Sequence, residues 1–281
     1  MKFTKILSLI LAALMLFTLA SCGAADSGKE TDTAADTGAD TGADTAADTE
    51  DAQDEGEKPV IVMGTNAYFP PYEFYEGETI VGIDAEIAAA IAEKLGRTLK
   101  IEDMDFNSIT TAVNEGSVDF GMAGMTITDE RKEEVDFSSS YANGVQVVIV
   151  KEDSPITSVD DLFAEGATYK AGVQLGTTGD AYAGGDLGAD RVTQFATGNE
   201  AVLALIGGDV DCVIIDNEPA KSYVEANSNK GLKILDTSYV DEDYAICVKK
   251  GNTELLDQIN TAIVELTADG TIDAIIAKYI K

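Results

Sequence analysis

From Pro59 onward, short apolar runs that read as strands alternate with stretches whose apolar residues recur at helical spacing. Strands are predicted at Val60 to Met63, Leu99 to Glu102, Val118 to Met122, Val145 to Val150, Tyr169 to Val173, Val210 to Ile215, Leu232 to Leu235 and Tyr244 to Val248. Ile87, Ile91 and Leu95 share one helical face behind Asp84, a candidate cap, and Gly96 follows as a stop. Asn252 can cap a helix whose Leu255, Leu256, Ile259, Ile263 and Leu266 form a stripe ending near Gly270. Thr271 starts a last helix with Ile272, Ile275, Ile276 and Tyr279. These stripes read as core. Alternation of this kind predicts an α/β architecture with largely parallel sheets.

Before Pro59 the pattern changes. Lys2 and Lys5 precede an apolar run from Ile6 to Ala20. That run is shorter than the about 20 residues a spanning helix needs and matches the apolar part of a secretory signal. Residues 1–21 therefore read as a signal peptide. It ends on Leu19-Ala20-Ser21-Cys22, four residues that resemble the lipoprotein processing box, in which the signal is cut before a cysteine that carries lipid. An uncleaved anchor helix and an ordinary signal peptide are the alternatives, and each puts the body outside the cytoplasm. Residues 22–57 read as a disordered acidic tether. From Gly23 to Glu57 there are twelve acidic residues and one Lys, with no Val, Ile, Leu, Phe or Tyr to bury. Asp32, Asp36, Asp40, Asp44 and Asp48 recur every four positions, without the alternating ligands and closing Glu of a calcium loop.

Composition narrows the function. With no His in 281 residues, no histidine-based nucleophile, acid–base pair or zinc site is available. A formal charge of −32, from 19 basic and 51 acidic residues, argues against nucleic acid and anionic lipid as partners. Cys22, Cys212 and Cys247 form no CxxC pair and no disulfide framework, so the latter two are expected reduced, buried and unlinked. Residues 58–281 suffice for one large or two modest domains, and no Pro- or Gly-rich linker marks a boundary.

Four ordered segments carry a resemblance. Gly82-Ile83-Asp84-Ala85-Glu86-Ile87-Ala88-Ala89-Ala90-Ile91-Ala92 resembles the signature of the extracellular solute-binding proteins, family 3, that serve amino-acid ABC importers. Thr65-Asn66-Ala67-Tyr68-Phe69-Pro70-Pro71-Tyr72-Glu73-Phe74 resembles that family's first strand-to-helix loop. Ala123 to Arg131 followed by Val135-Asp136-Phe137-Ser138 resembles its central ligand loop. Gly172 to Thr178 and Asp211 to Asp216 resemble its second-lobe loops. The resemblance implies a two-lobed periplasmic-binding-protein-like fold of type II, with the ligand between the lobes. Carried over, lobe one is 58–140 with 245–281, lobe two is 146–239, and the hinge segments are 141–145 and 240–244. It implies an amino-acid ligand, an ABC permease as membrane partner, a monomer, no cofactor and no catalysis.

The resemblance also assigns roles. Arg131 would take the ligand carboxylate in a planar two-bond contact, completed by Thr126 and the backbone around Gly124. Locally, Thr128-Asp129-Glu130-Arg131 also reads as a helix cap and first turn. Asp216 would hold the ligand ammonium; on local signals, before Asn217-Glu218-Pro219, it is a helix cap. Thr177 and Thr178 would add a second-lobe contact to the carboxylate, or cap the helix that follows. Phe69 and Phe106 match positions where aromatic rings cover the ligand side chain, and Pro70-Pro71 should hold the Phe69 loop extended. Asn66 stands where binders of basic amino acids, and the glutamine-like ones, often have an acid, and Gln174 where some relatives have Lys. A neutral polar ligand is the resulting expectation. A basic ligand is the alternative if Tyr68, Glu73 or another acid compensates. A sensor for a signalling partner would use the same cleft. An enzyme on this fold would find acids but no His, metal cluster or activated nucleophile.

Overall fold

The computed structural model describes residues 58–280; the expected signal peptide, Cys22 and the expected acidic tether lie outside the described residues. The chain starts with β1 (Val60–Thr65), then folds the small antiparallel sheet β2 (Tyr68–Phe69), β3 (Glu73–Glu76) and β4 (Thr79–Val81). Next come α1 (Ile83–Lys94), β5 (Thr98–Asp103), α2 (Ile109–Glu115), β6 (Phe120–Gly121), α3 (Asp129–Glu134) and β7 (Val135–Phe137). The chain then enters β8 (Ala142–Lys151), followed by β9 (Ala171–Gln174), α4 (Thr178–Leu187), β10 (Val192–Phe195), α5 (Gly198–Gly207), β11 (Cys212–Asp216), α6 (Asn217–Ala226) and β12 (Leu232–Ile234). It returns along β13 (Val240–Tyr244) to β14 (Cys247–Lys249), α7 (Thr253–Ala268) and α8 (Thr271–Tyr279).

Two mixed sheets result. The first runs β5-β1-β6-β14-β7; the second runs β10-β9-β11-β8-β12, with β13 also paired to β8. The expectation of largely parallel sheets holds for only half of each. Strands β1, β5 and β6 are parallel, as are β9, β10 and β11, whereas β14 and β8 are antiparallel to their neighbours. The reason lies in the connectivity: β8 and β14 enter their sheets from the passage between them, so they must run against strands that end there.

Each sheet is buried on both faces. In β11, Val213 and Ile215 pack in the cluster with Ala201, Leu205, Ala220 and Tyr223, while Cys212 and Ile214 pack with Val148, Val150 and Leu162. Strand alternation therefore points apolar residues both ways, which reads in sequence as a continuous apolar run. Cys212 and Cys247 are buried and unlinked, and burial pushes both thiols up to about 12. Both are inert at neutral pH.

The apolar stripes of α1, α7 and α8 reach the same cluster, and Asn252 caps α7 by accepting from the Leu255 N–H at 3.3 Å. Asp84 departs from its expected role. Gly82 holds the cap position of α1, and the fully buried Asp84 carboxylate accepts from the Gly124 N–H at 2.8 Å and the Tyr141 hydroxyl at 2.7 Å. In the first turn of the helix, Asp84 faces inward and ties α1 to two other segments. Pro70 and Pro71 form the turn between β2 and β3, joined by a cis peptide, in place of an extended loop.

The run from Tyr244 to Val248 is split: Tyr244 ends β13, Ala245 and Ile246 carry the chain across, and β14 begins at Cys247. The two passages lie side by side. In the antiparallel ladder of β8 and β13, Val240 faces Gln146 and Tyr244 faces Ala142.

Candidate functional site

All ten residues singled out for ligand contact line one narrow cavity between the two sheets: Asn66, Phe69, Phe106, Gly124, Thr126, Arg131, Gln174, Thr177, Thr178 and Asp216. Glu73 and Ala123 complete the lining. Most of these residues follow the carboxyl ends of strands: Asn66 after β1, Gly124 and Thr126 after β6, Gln174 at the end of β9, Asp216 at the end of β11. A cavity beyond strand ends, where side chains from several loops converge, is the standard ligand position in open α/β sheets.

Arg131 satisfies both readings of its sequence. Its backbone N–H donates to the Thr128 cap at 3.1 Å, fixing the first turn of α3. Its guanidinium turns into the cavity, donating to the carbonyls of Thr126 at 2.8 Å and Gly176 at 3.0 Å, with its carbon 5.3 Å from the centre of the Phe106 ring. Phe106 is thus a platform for Arg131 as well as a wall. Arg131 is the one cation among the lining residues.

The Phe69 ring lies close against Gly124, where a Cβ would come within 2.8 Å of the ring and φ is +53°. Any other residue there would push the ring away and strain the backbone.

Asp216 occupies the cap position of α6, yet its side chain makes no capping bond. It accepts instead from Gln146 Nε2 at 2.8 Å and from the Tyr244 hydroxyl. Burial, then the charge of Glu242, pushes its carboxyl up to about 7, against the lowering effect of those two bonds. The Tyr244 ring crosses Gly144 of the facing strand, where a Cβ would lie 2.2 Å from its hydroxyl oxygen. A glycine in the ladder is what lets the hydroxyl reach Asp216. Thr177 keeps its local role: it caps α4 by accepting from the Asp180 N–H at 3.3 Å and donates to the Gln174 carbonyl at 2.8 Å. The Thr178 hydroxyl faces Gln146 Nε2 at 3.4 Å.

The two amides expected to read a ligand side chain engage each other. Gln174 Nε2 donates to Asn66 Oδ1 at 2.9 Å, and Asn66 Nδ2 donates to the Met104 carbonyl at 2.8 Å. The unmatched group in the lining is Glu73, which sequence reasoning named only as a compensating acid. It is fully buried against the equally buried Asp84 carboxyl, with which it shares a side-chain hydrogen bond, and no cation meets either acid among the described residues. Burial, then the neighbouring Asp84, holds its carboxyl well above the usual range, and burial raises Asp84 itself to about 6. Gln146, Glu242 and Tyr244 also escaped the sequence reading. They belong to the β8–β13 ladder, whose pairing is invisible until the fold brings distant segments together.

Two α/β layers, connected by two paired passages and enclosing a cavity at their strand ends, define a protein that holds a small solute between lobes. The chain belongs to the bacterial extracellular solute-binding proteins, family 3, whose model matches residues 61–281. It is similar to the arginine-binding extracellular protein ArtP of Bacillus subtilis (strain 168), 33% identical over 279 residues that cover 98% of this chain and 97% of that one. It is also similar to the ABC transporter glutamine-binding protein GlnH of the same organism, 32% identical over 281 residues that cover 99% and 97%. Among solved structures, an ancestral arginine-binding protein bound to arginine matches with a TM-score of 0.74 and 40% identity, over 80% of this chain and 100% of that one.

Proposed function

We propose that the chain is the amino-acid-binding component of an ABC importer and that its ligand carries a cationic side chain. The observation that carries the second half is Glu73: a fully buried carboxyl in the cavity lining whose neighbour is a second buried acid, Asp84, with no cation paired to either among the described residues. Burying two adjacent acids is costly, and a guanidinium or ammonium at the far end of a ligand would offset that cost. Arg131 serves the ligand carboxylate, with Thr126 and the Gly124 backbone beside it, and Asp216 serves the ammonium. Phe69 and Phe106 flank the aliphatic part. Similarity to arginine-binding proteins supports this reading. A neutral polar ligand, the expectation from Asn66 and Gln174, is the second reading, supported by similarity to a glutamine-binding protein. It is weakened by the bond those two amides make to each other.

In this reading the lobes are 58–140 with 245–281 and 146–239. They close by hinge motion at 141–145 and 240–244, and a permease recognises the closed form. The protein works as a monomer without catalysis or cofactor, held to the outer face of the membrane by lipid on Cys22. A thermal-shift series on the full chain with L-arginine, L-lysine, L-glutamine and L-glutamate tests the ligand class. L-arginine at 100 times its Kd should add about 2.7 kcal/mol of stability. Tighter binding of L-glutamine than of L-arginine overturns the cationic reading in favour of the neutral one.

A further inference from the structure

Glu242 sits on β13, opposite Gly144 in the ladder that joins the two sheets. It is 6% exposed, and its Oε2 accepts from Thr126 Oγ1 at 3.1 Å and from Gln146 Nε2 at 3.0 Å. The same Nε2 donates to Asp216 Oδ2 at 2.8 Å. One amide group therefore bridges two buried carboxyl groups from different elements. Glu242 also meets the Tyr182 hydroxyl and the Asp216 carboxyl through side-chain hydrogen bonds. Beside it, the buried Asp216 cannot readily stay ionised without a cation to offset the two charges. Arg131 does not supply it: its guanidinium is held by two backbone carbonyls, and neither acid takes part in an ion pair among the described residues.

We propose that Glu242 is a second acid of the ammonium pocket, whose charge keeps a proton on Asp216 in the ligand-free cleft until a ligand ammonium takes that proton's place. This rests on the amino-acid reading above. The ammonium arrives already protonated, so the Asp216 proton leaves to solvent and Asp216 finishes ionised beside the cation. The other groups facing the pair are Arg131 from α3, Tyr182 from α4 and Tyr244 from β13. Tyr72 and Glu73 lie farther off and also feel Asp216. The tyrosines stay neutral throughout the working range, since burial raises all three. The Glu242 charge opposes ionisation of Asp216, and the upward push on Asp216 to about 7 agrees with a proton held there.

The test compares the full chain with Glu242→Gln, which keeps the side chain's size and removes its charge. Carboxyl 13C NMR titration of the ligand-free protein should show a resonance with a midpoint near 7 in the wild type that falls by at least one pH unit in the variant. Calorimetry with L-arginine at pH 7, in buffers of different ionisation enthalpy, should show about half a proton less released by the variant. A purely structural role would weaken binding alike in every buffer and leave the proton count unchanged. No carboxyl midpoint moved by Glu242→Gln, or equal proton release from both proteins, overturns the proposal. If the midpoint moves as expected but L-arginine gives no binding, the pair stands and the cationic-ligand reading fails.

Discussion

Glu73→Gln is expected to weaken L-arginine binding at least thirtyfold while leaving L-glutamine within about threefold, a change of about 2 kcal/mol for the cation alone. The substitution keeps the shape of the side chain and replaces a carboxyl that carries a charge only when a cation meets it. In the ligand-free protein the carboxyl is buried and held well above its usual range, so the wild type has little charge there to lose, and the variant should fold with equal or greater stability. A cationic ligand reverses this balance, since it favours the ionised form. The sign follows for pH as well: wild-type affinity for L-arginine should rise with pH as Glu73 ionises more readily, and that contribution should vanish in the variant. Titration calorimetry with both amino acids at two pH values measures it. Equal losses for L-arginine and L-glutamine would show that Glu73 shapes the cavity without reading charge.

Arg131→Ala should weaken every amino acid by at least thirtyfold, whatever its side chain, because the α-carboxylate is the group all of them share. The loss combines a missing partner for a buried ligand charge with an exposed face of Phe106, on which the guanidinium rests. Arg131→Lys tests geometry apart from charge: an ammonium cannot make two parallel bonds to a carboxylate, so recovery should be partial. A loss under threefold in the alanine variant, with the fold intact by circular dichroism, would remove Arg131 from the site.

What could be read from the sequence follows from the range of the interactions involved. Helical stripes such as Leu255, Ile259 and Ile263 are local patterns and were legible, as were strands buried on both faces such as β11. Arg131 and Asp216 stand in ordered motifs, so a resemblance could find them even though each also looks like a helix start. β13 reads Val-Asp-Glu-Asp-Tyr: Val240, Glu242 and the buried Tyr244 share one face, and the acid at Glu242 breaks the apolar alternation that would have marked a strand. Asp84 looked like a cap because acids are common there; only the Gly124 and Tyr141 partners, far along the chain, reveal its inward role. Glu73 lies in Glu-Phe-Tyr-Glu, a segment with the look of a solvated edge, and its burial is set by elements that arrive later in the chain.

The bonds that span the cleft are made entirely of the chain's own groups: Gln174 to Asn66, Arg131 to the Gly176 carbonyl, and the Tyr223 hydroxyl to the Tyr68 carbonyl. Such bonds are available whether or not an amino acid is present, so if the lobes close by the proposed hinge motion, closure carries a free energy of its own and the ligand meets a gated receptor. At high concentration its association rate should stop rising in proportion and level off at the rate at which these latches let go. Its apparent affinity is the intrinsic one divided by the fraction of molecules standing open; if a tenth are open, uptake from dilute solution is weakened about tenfold, or about 1.4 kcal/mol. Substitutions at the latch, distant from any contact with the ligand's charged groups, would then tune how scarce a nutrient the cell can harvest.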